Sequence, residues 1–230
     1  MDIHRPKPFH GMREFLKEYG IIVLGVLTAL LLEQAVDWLH WTHDVHTERE
    51  ALLKEVRANA STAYDRVLEQ PCIEKRLSEL MTVFQRHDEG RPLGVVGRVG
   101  APLEIWGDNG TWSMAVAGGG LNHMPLAERT AFSDAFANYD AGWRILHDER
   151  TAWLPLGVLD HAGSLRDADW AMLRIAFAQA RAASDEAAHI APFMLRGSAT
   201  GQNPEGNASV AGVFKAAGFG SEICKPLLSP

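Results

Sequence analysis

The sequence predicts an all-α fold, in which an N-terminal transmembrane helix continues into a stalk that packs with an irregular helical bundle. Two observations predict this fold. Ile21 to Leu32 is a run of twelve residues without a charge, and nothing else in the 230-residue chain is comparably apolar. Beyond that run, apolar residues recur every three or four positions, which is the spacing of one helix face, and proline and glycine separate the stretches.

Residues 19–41 have the length and the ends of a single membrane span. At about 1.5 Å per residue, Tyr19 to Trp38 covers roughly 28 Å, close to the hydrocarbon thickness of a bilayer. Tyr19 at one end and a pair of tryptophans at the other suit the two membrane interfaces. The alternative is a buried helix of a soluble protein. A cleaved signal peptide fits poorly, because cleavage after Ala35 would leave Glu33 where a small residue is needed.

The distribution of basic residues around the span predicts its orientation. Residues 1–18, a short stub, contain four Lys or Arg, whereas Arg49 and Lys54 are the basic residues in the first turns after the span. Because the side richer in Lys and Arg stays in the cytoplasm, the stub is expected there. We therefore expect a single-pass protein of a bacterial inner membrane, with residues 42–230 as a periplasmic domain.

One face of the span carries Gly25, Ala29 and Glu33 at four-residue intervals. Small residues let two helices approach closely, so this face predicts packing against another helix, for example in a homodimer. The alternative is that Gly25 and Ala29 only reflect the composition usual in membrane spans. Glu33 is costly inside a membrane unless it is paired or faces water, which makes it a functional candidate; a glutamate that reaches the outer interface is the competing interpretation.

Composition narrows the classes of partner. The net charge of −7 and a pI near 5.8 argue against nucleic acid as a partner. The membrane and a protein, either another chain or a second copy of this one, are the expected partners. The hydrophobic fraction of 47% is enough for a core beyond the span.

Cys72 and Cys224 are the two cysteines of the chain and belong to no zinc or redox motif. Outside the cytoplasm they would most simply form one disulfide, which in the chain-entropy model contributes around 4 to 5 kcal/mol. With the opposite orientation they would be two buried thiols. The disulfide is therefore tied to the predicted topology.

The body is predicted to begin with a helical hairpin. Proline disfavours helical geometry in the residue before it, so the first helix is expected to end at Gln70 and a second to begin at Pro71. Charged residues of the first helix, Glu55 among them, fall mainly off its apolar stripe. The predicted segments are a helical hairpin over 42–89, a Gly/Pro loop over 90–110, helices over 111–195 and a C-terminal tail over 196–230.

A long helix from Pro125 to Pro155 carries the strongest core signal outside the span. Its aromatic residues lie on one face, and packing explains that stripe better than a ligand pocket does. The next helix is expected to stop around Pro192. The apolar stripe of the first of these helices consists of Phe132, Phe136, Tyr139, Trp143, Leu146 and Trp153.

Little in the sequence suggests chemistry. His40, His43 and His46 share one arc of a helix, where they could bind a metal or titrate together. Their three-residue spacing differs from the i, i+4 pair of zinc proteases, and a polar face just outside the bilayer is the alternative. The sequence contains no recognisable motif for hydrolysis, phosphate binding or a cofactor, so we expect a non-enzymatic protein with no catalytic residue.

The first 80 residues resemble a group of bacterial single-pass membrane-anchored proteins of unknown function. In that group an acidic residue precedes an apolar run, an aromatic segment and a charged helix. The segments CIEKRLSEL from Cys72 and CKPL from Cys224 also look like such relatives. The resemblance implies a membrane anchor and supports pairing of the two cysteines, but it implies no activity. The matching positions are Glu18, Val23 to Leu30, Trp38, Trp41, Glu55 and Asn59.

Three functions are compatible with these features. The first is a membrane-anchored, non-enzymatic module that binds a partner as an accessory or scaffold element. The second is a periplasmic sensory or small-molecule-binding bundle, which a large apolar cavity beside Trp143 would favour. The third is a metal-binding protein that uses His40, His43 and His46. An exposed apolar patch without such a cavity would favour the first function.

Overall fold

The computed structural model describes residues 11–104, 106–196 and 222–229, and these residues form the predicted all-α fold. Residues 1–10 of the expected stub and most of the expected C-terminal tail lie outside the described residues. Within the described residues, 3₁₀ segments cover Gly120–His123, Leu154–Ser164 (interrupted at His161) and Glu222–Cys224. The α-helices are α1 (Met12–Asp88), α2 (Gly110–Gly118), α3 (Leu126–Trp153) and α4 (Asp167–Arg196).

The predicted hairpin over 42–89 is wrong, because α1 is one helix of 77 residues that continues through Pro71. A proline inside a helix removes one backbone hydrogen bond and costs about 3 kcal/mol. Here tertiary packing offsets that cost, since Ala63 on one side of the proline and Ile73 on the other are fully buried. Side chains also bridge the position, with Arg66 donating to Gln70 at 2.8 Å and Gln70 to Glu74 at 2.9 Å.

The same explanation applies to α4, which was expected to stop around Pro192 and instead runs to Arg196. Ala191 and Met194, on either side of this proline, are buried. Met194 packs where α3 has Gly142, and a side chain at that glycine would collide with it. Local breakers are thus overridden in both helices by burial in the core.

The body is wrapped around the C-terminal half of α1. We call its end near Trp41 the base and its end near Asp88 the tip. After α1, residues 89–104 and 106–109 run back along the helix toward the base. Helix α3 rises from the base to the level of Arg66, residues 154–164 follow, and α4 returns from the tip. The tail at 222–229 lies beside the upper part of α1, where Val95 and Leu228 form an antiparallel bridge.

Two hydrophobic clusters fill the body. The lower core lies toward the base and joins α1, α2, α3 and the end of α4. The upper core lies toward the tip and joins α1, the start of α4, the segment at 154–164 and the tail. Fully or nearly fully buried members are Leu52, Val56, Phe136 and Tyr139 in the lower core, and Ile73, Leu80, Trp153, Leu156 and Ile223 in the upper core.

Candidate functional site

The N-terminal part of α1 stands clear of the body. Within the described part of α1, residues 12–44 include none that is buried, and the most apolar 18-residue window has a mean hydropathy of 1.9. This is the one described helix that is long and apolar enough to cross a membrane. Gly25, Ala29 and Glu33 lie on this bare stretch, and all three are exposed. In the described part of the single chain, the face predicted to pack against another helix therefore makes no contact.

His40, His43 and His46 are also exposed, and the first and last of them pair with different carboxylates. His40 Nε2 lies 3.2 Å from Asp44 Oδ2, and His46 Nε2 lies 3.3 Å from Glu50 Oε1. Each of these two histidines thus faces a carboxylate one turn further along α1. Across the described residues, no group of three or more His, Cys, Asp or Glu side chains is placed to hold a metal ion.

At the base, residues 120–128 contact α1 where its exposed apolar stretch ends. The ring of His123 stacks on Trp41 with centroids 3.8 Å apart. Two turns further along α1, the carboxylate of Glu48 packs against Gly120, where a side chain would displace it. Arg49 forms a two-pronged ion pair with Glu128 of α3, in which Nη2 lies 2.8 Å from Oε2. Sequence analysis missed this contact set because its members are far apart in the chain.

Two carboxylates at the base have shifted pKa values of opposite sign. Burial, and then the nearby charge of Asp44, raises the pKa of Glu48. One of its oxygens, Oε2, is buried without a hydrogen-bond partner among the described residues. In contrast, the hydrogen bond from Arg49 lowers the pKa of Glu128 and outweighs the effect of burial. The base therefore contains one carboxylate whose ionised form is disfavoured, Glu48, and one whose ionised form is stabilised by an arginine, Glu128.

Several polar side chains of α1 are buried, and they bind the backbone of the segment that runs back along it. The carboxylate of Glu55 accepts hydrogen bonds from the amides of Thr111 and Trp112 at 2.9 and 3.0 Å. Asn59 bonds both the N–H and the C=O of Asp108, at 2.9 and 2.6 Å. Glu55 thus satisfies amides in the first turn of α2, which have no partner within that helix, and Asn59 satisfies the backbone of the segment before it. Their role is structural, and the expectation that Glu55 points away from the apolar face is wrong.

Two buried arginines complete this set. Arg66 forms a two-pronged ion pair with Glu149 of α3, with both distances 2.8 Å and both side chains about 1% exposed. Arg76 is fully buried and donates to four backbone carbonyls, two before α2 and two in the tail. A sequence signal exists for these polar side chains, because they recur at the spacing of the apolar stripe. They are Glu55, Asn59, Arg66, Glu69 and Arg76.

The predicted disulfide is present. Cys72 of α1 is bonded to Cys224 of the tail, across 152 positions of the chain. The bond lies one turn from Arg76, so a covalent tie and a set of hydrogen bonds hold the tail at the same place. The tail in turn covers the upper core with Ile223 and Leu227, which are both buried.

The aromatic stripe of α3 is core, as its pattern predicts. Phe136 and Tyr139 are each 1% exposed, and the Tyr139 hydroxyl donates to the carbonyl of Val56 at 3.2 Å. Burial raises the pKa of Tyr139 to about 12. Trp143 is covered by the backbone at Gly107, where a side chain would overlap its indole ring. On that side of the half-buried Trp143, the backbone of the protein itself covers the ring.

An apolar groove opens near the tip, between the segment at 154–164 and α4. It encloses about 310 Å³ and is open to solvent along one side. Met172 and Ile175 of α4 are 70% and 61% exposed, and Val158 on the opposite wall is 49% exposed. Sequence analysis did not identify this groove, because it is formed by two segments whose relative placement no local pattern encodes. Its lining consists of Pro155, Val158, Asp169, Met172, Leu173, Ile175, Ala176 and Gln179.

A second, more polar cleft of about 480 Å³ lies along residues 98–104 and the end of α3. Its charges neutralise one another in pairs. Arg98 lies 3.4 Å from Asp160, and Arg150 lies 3.6 Å from Glu104. Such pairs leave no uncompensated charge aimed at a ligand within the described cleft.

Comparison of the chain with protein-family models, with curated proteins and with solved structures found no significant match. The assignment of function therefore rests on geometry. Two described features remain without an intramolecular purpose: the bare apolar stretch of α1 and the apolar groove near the tip.

Proposed function

We propose that this chain is a single-pass membrane protein whose body is a non-enzymatic scaffold that binds a protein partner. In this proposal residues 19–41 cross a bacterial inner membrane, the N-terminus is cytoplasmic and the body is periplasmic. One observation carries the proposal. The helix that is apolar enough to span a membrane is also a central helix of the body, without a break between the two parts.

This continuity gives the body a fixed position. At about 1.5 Å per residue, the 77 residues of α1 extend roughly 115 Å. A flexible linker would let the body move freely above the membrane, whereas a continuous helix holds the tip at a set height. The contacts of Trp41 with His123 and of Arg49 with Glu128 brace the helix where it enters the body. A fixed height and orientation are what a scaffold requires.

Two features support the proposed orientation. The basic residues before the span outnumber those that follow it in the first turns. The Cys72–Cys224 disulfide suits an oxidising compartment, because cytosolic thiols are kept reduced. The resemblance of the first 80 residues to bacterial membrane-anchored proteins favours the inner membrane.

The partner proposed for the groove near the tip is a protein segment with exposed aliphatic side chains. Small-molecule sites usually offer several converging polar groups. Here Asp169 is already bonded to the backbone N–H of Arg166 at 2.8 Å, which leaves Gln179 as the polar lining residue still to be used. Met172 and Ile175 present apolar surface, and methionine adapts its shape to a partner.

The height of the groove excludes lipid as its occupant. Arg174, between the two exposed lining residues of α4, forms an ion pair with Asp88 at the end of α1. At about 1.5 Å per residue this point is roughly 70 Å beyond Trp41. The headgroup layer of one leaflet is about 5 to 8 Å thick, so the groove is far from the membrane.

Site-specific photo-cross-linking in intact cells tests this function. A photoreactive amino acid replaces Ile175 in the full chain, and Met114, which is similarly exposed at 69%, is the matched control position. We expect a discrete protein adduct from position 175 and none from position 114. The substitution Val158→Asp, on the opposite wall, should abolish the adduct because it places a charge in the apolar groove.

Two results would contradict the proposal. One is the absence of any adduct at position 175 while the protein accumulates in the membrane fraction with its disulfide formed. The other is an adduct at position 175 that persists unchanged in the Val158→Asp variant, since the groove would then not be the binding surface.

A further inference from the structure

The base of the body has an apolar corner that nothing in the described residues covers. Pro125, Leu126 and Ala127, where α3 begins, are all exposed, and Leu126 is 67% exposed. A single exposed leucine needs no explanation on a soluble protein. The position of this corner relative to the span is what makes it informative.

The corner lies at the height of the membrane interface in the proposed topology. His123 precedes it by two residues and stacks on Trp41 at 3.8 Å, so this segment is level with the last turn of the span. Trp41 lies about 4.5 Å beyond Trp38 along the helix axis. The headgroup layer is about 5 to 8 Å thick on each side, so the stacked pair falls within it.

The corner is held at this height. Glu48 packs against Gly120 before the corner, and Arg49 bonds Glu128 directly after it. These contacts tie the corner to α1 on both sides. Because Arg49 lies about 12 Å beyond Trp41 along the axis, they hold the corner from the side of the body, while the stack of His123 on Trp41 fixes its end nearest the membrane. Residues of amphipathic character such as Trp41 and His123 suit the interface, where one side of the ring is apolar and the other meets water.

We propose that the base of the body is a lipid-binding surface, with Pro125, Leu126 and Ala127 seated in the headgroup layer of the outer leaflet. This inference rests on the proposed membrane span and adds a second contact with the bilayer. The continuous helix fixes the body relative to the span, but span and body can still tilt together in the bilayer. A second contact beside the span restricts that tilt and directs the groove near the tip.

Depth-dependent quenching in reconstituted vesicles tests the inference. Single cysteines replace Leu126, Met172 or Leu30 in the full chain and carry an environment-sensitive fluorophore, while the native cysteines remain paired in their disulfide. The vesicles contain phosphatidylcholine and phosphatidylglycerol, with a nitroxide on a fraction of the lipid headgroups or acyl chains. Met172 is the matched control, because it is 70% exposed and lies near the tip.

We expect headgroup nitroxides to quench the label at position 126 at least twofold and to leave the label at position 172 unchanged. Acyl-chain nitroxides should quench the label at position 30. If position 30 is quenched and position 126 behaves like position 172, the lipid-binding surface is excluded while the span stands. If position 30 is not quenched, the span and the inference built on it both fail.

Discussion

The two halves of α1 differ in which side chains they expose and which they bury, although they form one helix. Residues 12–44 include no buried residue within the described structure and expose apolar side chains such as Leu24 and Leu31. Residues 45–88 bury an apolar stripe and, among it, Glu55, Arg66 and Arg76. The first half is apolar on the outside, and the second half has charge on the inside.

The difference agrees with the surroundings proposed for each half, lipid for the first and protein for the second. A helix in lipid satisfies its backbone by itself, and its side chains need only be apolar. In the body, α1 also bonds backbone groups of residues 98–99 and 108, of the first turn of α2 and of the tail, which have no partner within their own segments. The buried polar side chains of α1 perform that task.

Loss of one partner of the buried ion pair should be the most damaging change. Glu149→Ala leaves the Arg66 guanidinium charged and buried, which should lower the free energy of unfolding by about 3 to 5 kcal/mol. Urea unfolding of the full chain in detergent micelles, followed by the total tryptophan fluorescence, measures it. The double variant Arg66→Met with Glu149→Leu should recover much of the loss. A single variant as stable as the double variant would show that this charge is not buried.

Matched leucine truncations compare the halves directly. Leu52 is fully buried in the lower core, so Leu52→Ala should cost about 2 to 5 kcal/mol. Leu31 is 66% exposed on the bare half, so Leu31→Ala should leave the urea midpoint of the body unchanged. Equal effects of the two truncations would mean that the bare half packs against protein after all.

Removal of the disulfide should have a comparable or smaller effect. Replacing Cys72 and Cys224 by serine releases the tail from α1 and should cost about 2 to 4 kcal/mol. The urea midpoint of the double variant should match that of the reduced native protein. If the midpoint does not move, the hydrogen bonds from Arg76 alone would be sufficient to hold the tail.

The carboxylates at the base should give the smallest effects, with opposite signs. A raised pKa means that ionised Glu48 destabilises the fold at pH values above the ordinary 4.5, so Glu48→Gln should raise the melting temperature at pH 7. The rise should be under about 4 °C and should vanish at acidic pH, where the carboxyl is protonated in both folded and unfolded states.

Glu128→Gln is the control, because its lowered pKa stabilises the fold above pH 4.5 and that contribution is lost as the pH falls through the folded pKa. The substitution should lower the melting temperature at pH 7. The corresponding loss in the free energy of unfolding should be at most about 1 kcal/mol. Shifts of the same sign for the two variants would contradict the account of the base.

Much of the fold follows from patterns within single segments. The apolar run predicted the bare helix, the aromatic stripe predicted the buried face of α3, and the two cysteines predicted the bond that the structure contains. Pro71 misled the prediction, because its local cost is real but smaller than the packing of Ala63 and Ile73 around it.

The candidate sites were beyond prediction for a different reason. The groove between Val158 and Ile175, and the stack of His123 on Trp41, each join segments that lie far apart in sequence. Neither the spacing of apolar residues nor a sequence motif predicts contacts between such distant segments. The burial of Glu55 could have been inferred, since it shares the spacing of the stripe, but a charged residue is rarely buried unless its partners are known.

The account depends most directly on α1 being one helix from the span into the body. Spin labels on Leu39→Cys and Met81→Cys, with the native disulfide intact and the full chain in lipid nanodiscs, measure this by pulsed electron resonance. At about 1.5 Å per residue, a continuous helix predicts a narrow distance distribution centred near 63 Å. A broad distribution, or one centred far below this value, would mean that α1 bends at a hinge or folds back at Pro71, and it would contradict the rigid anchor.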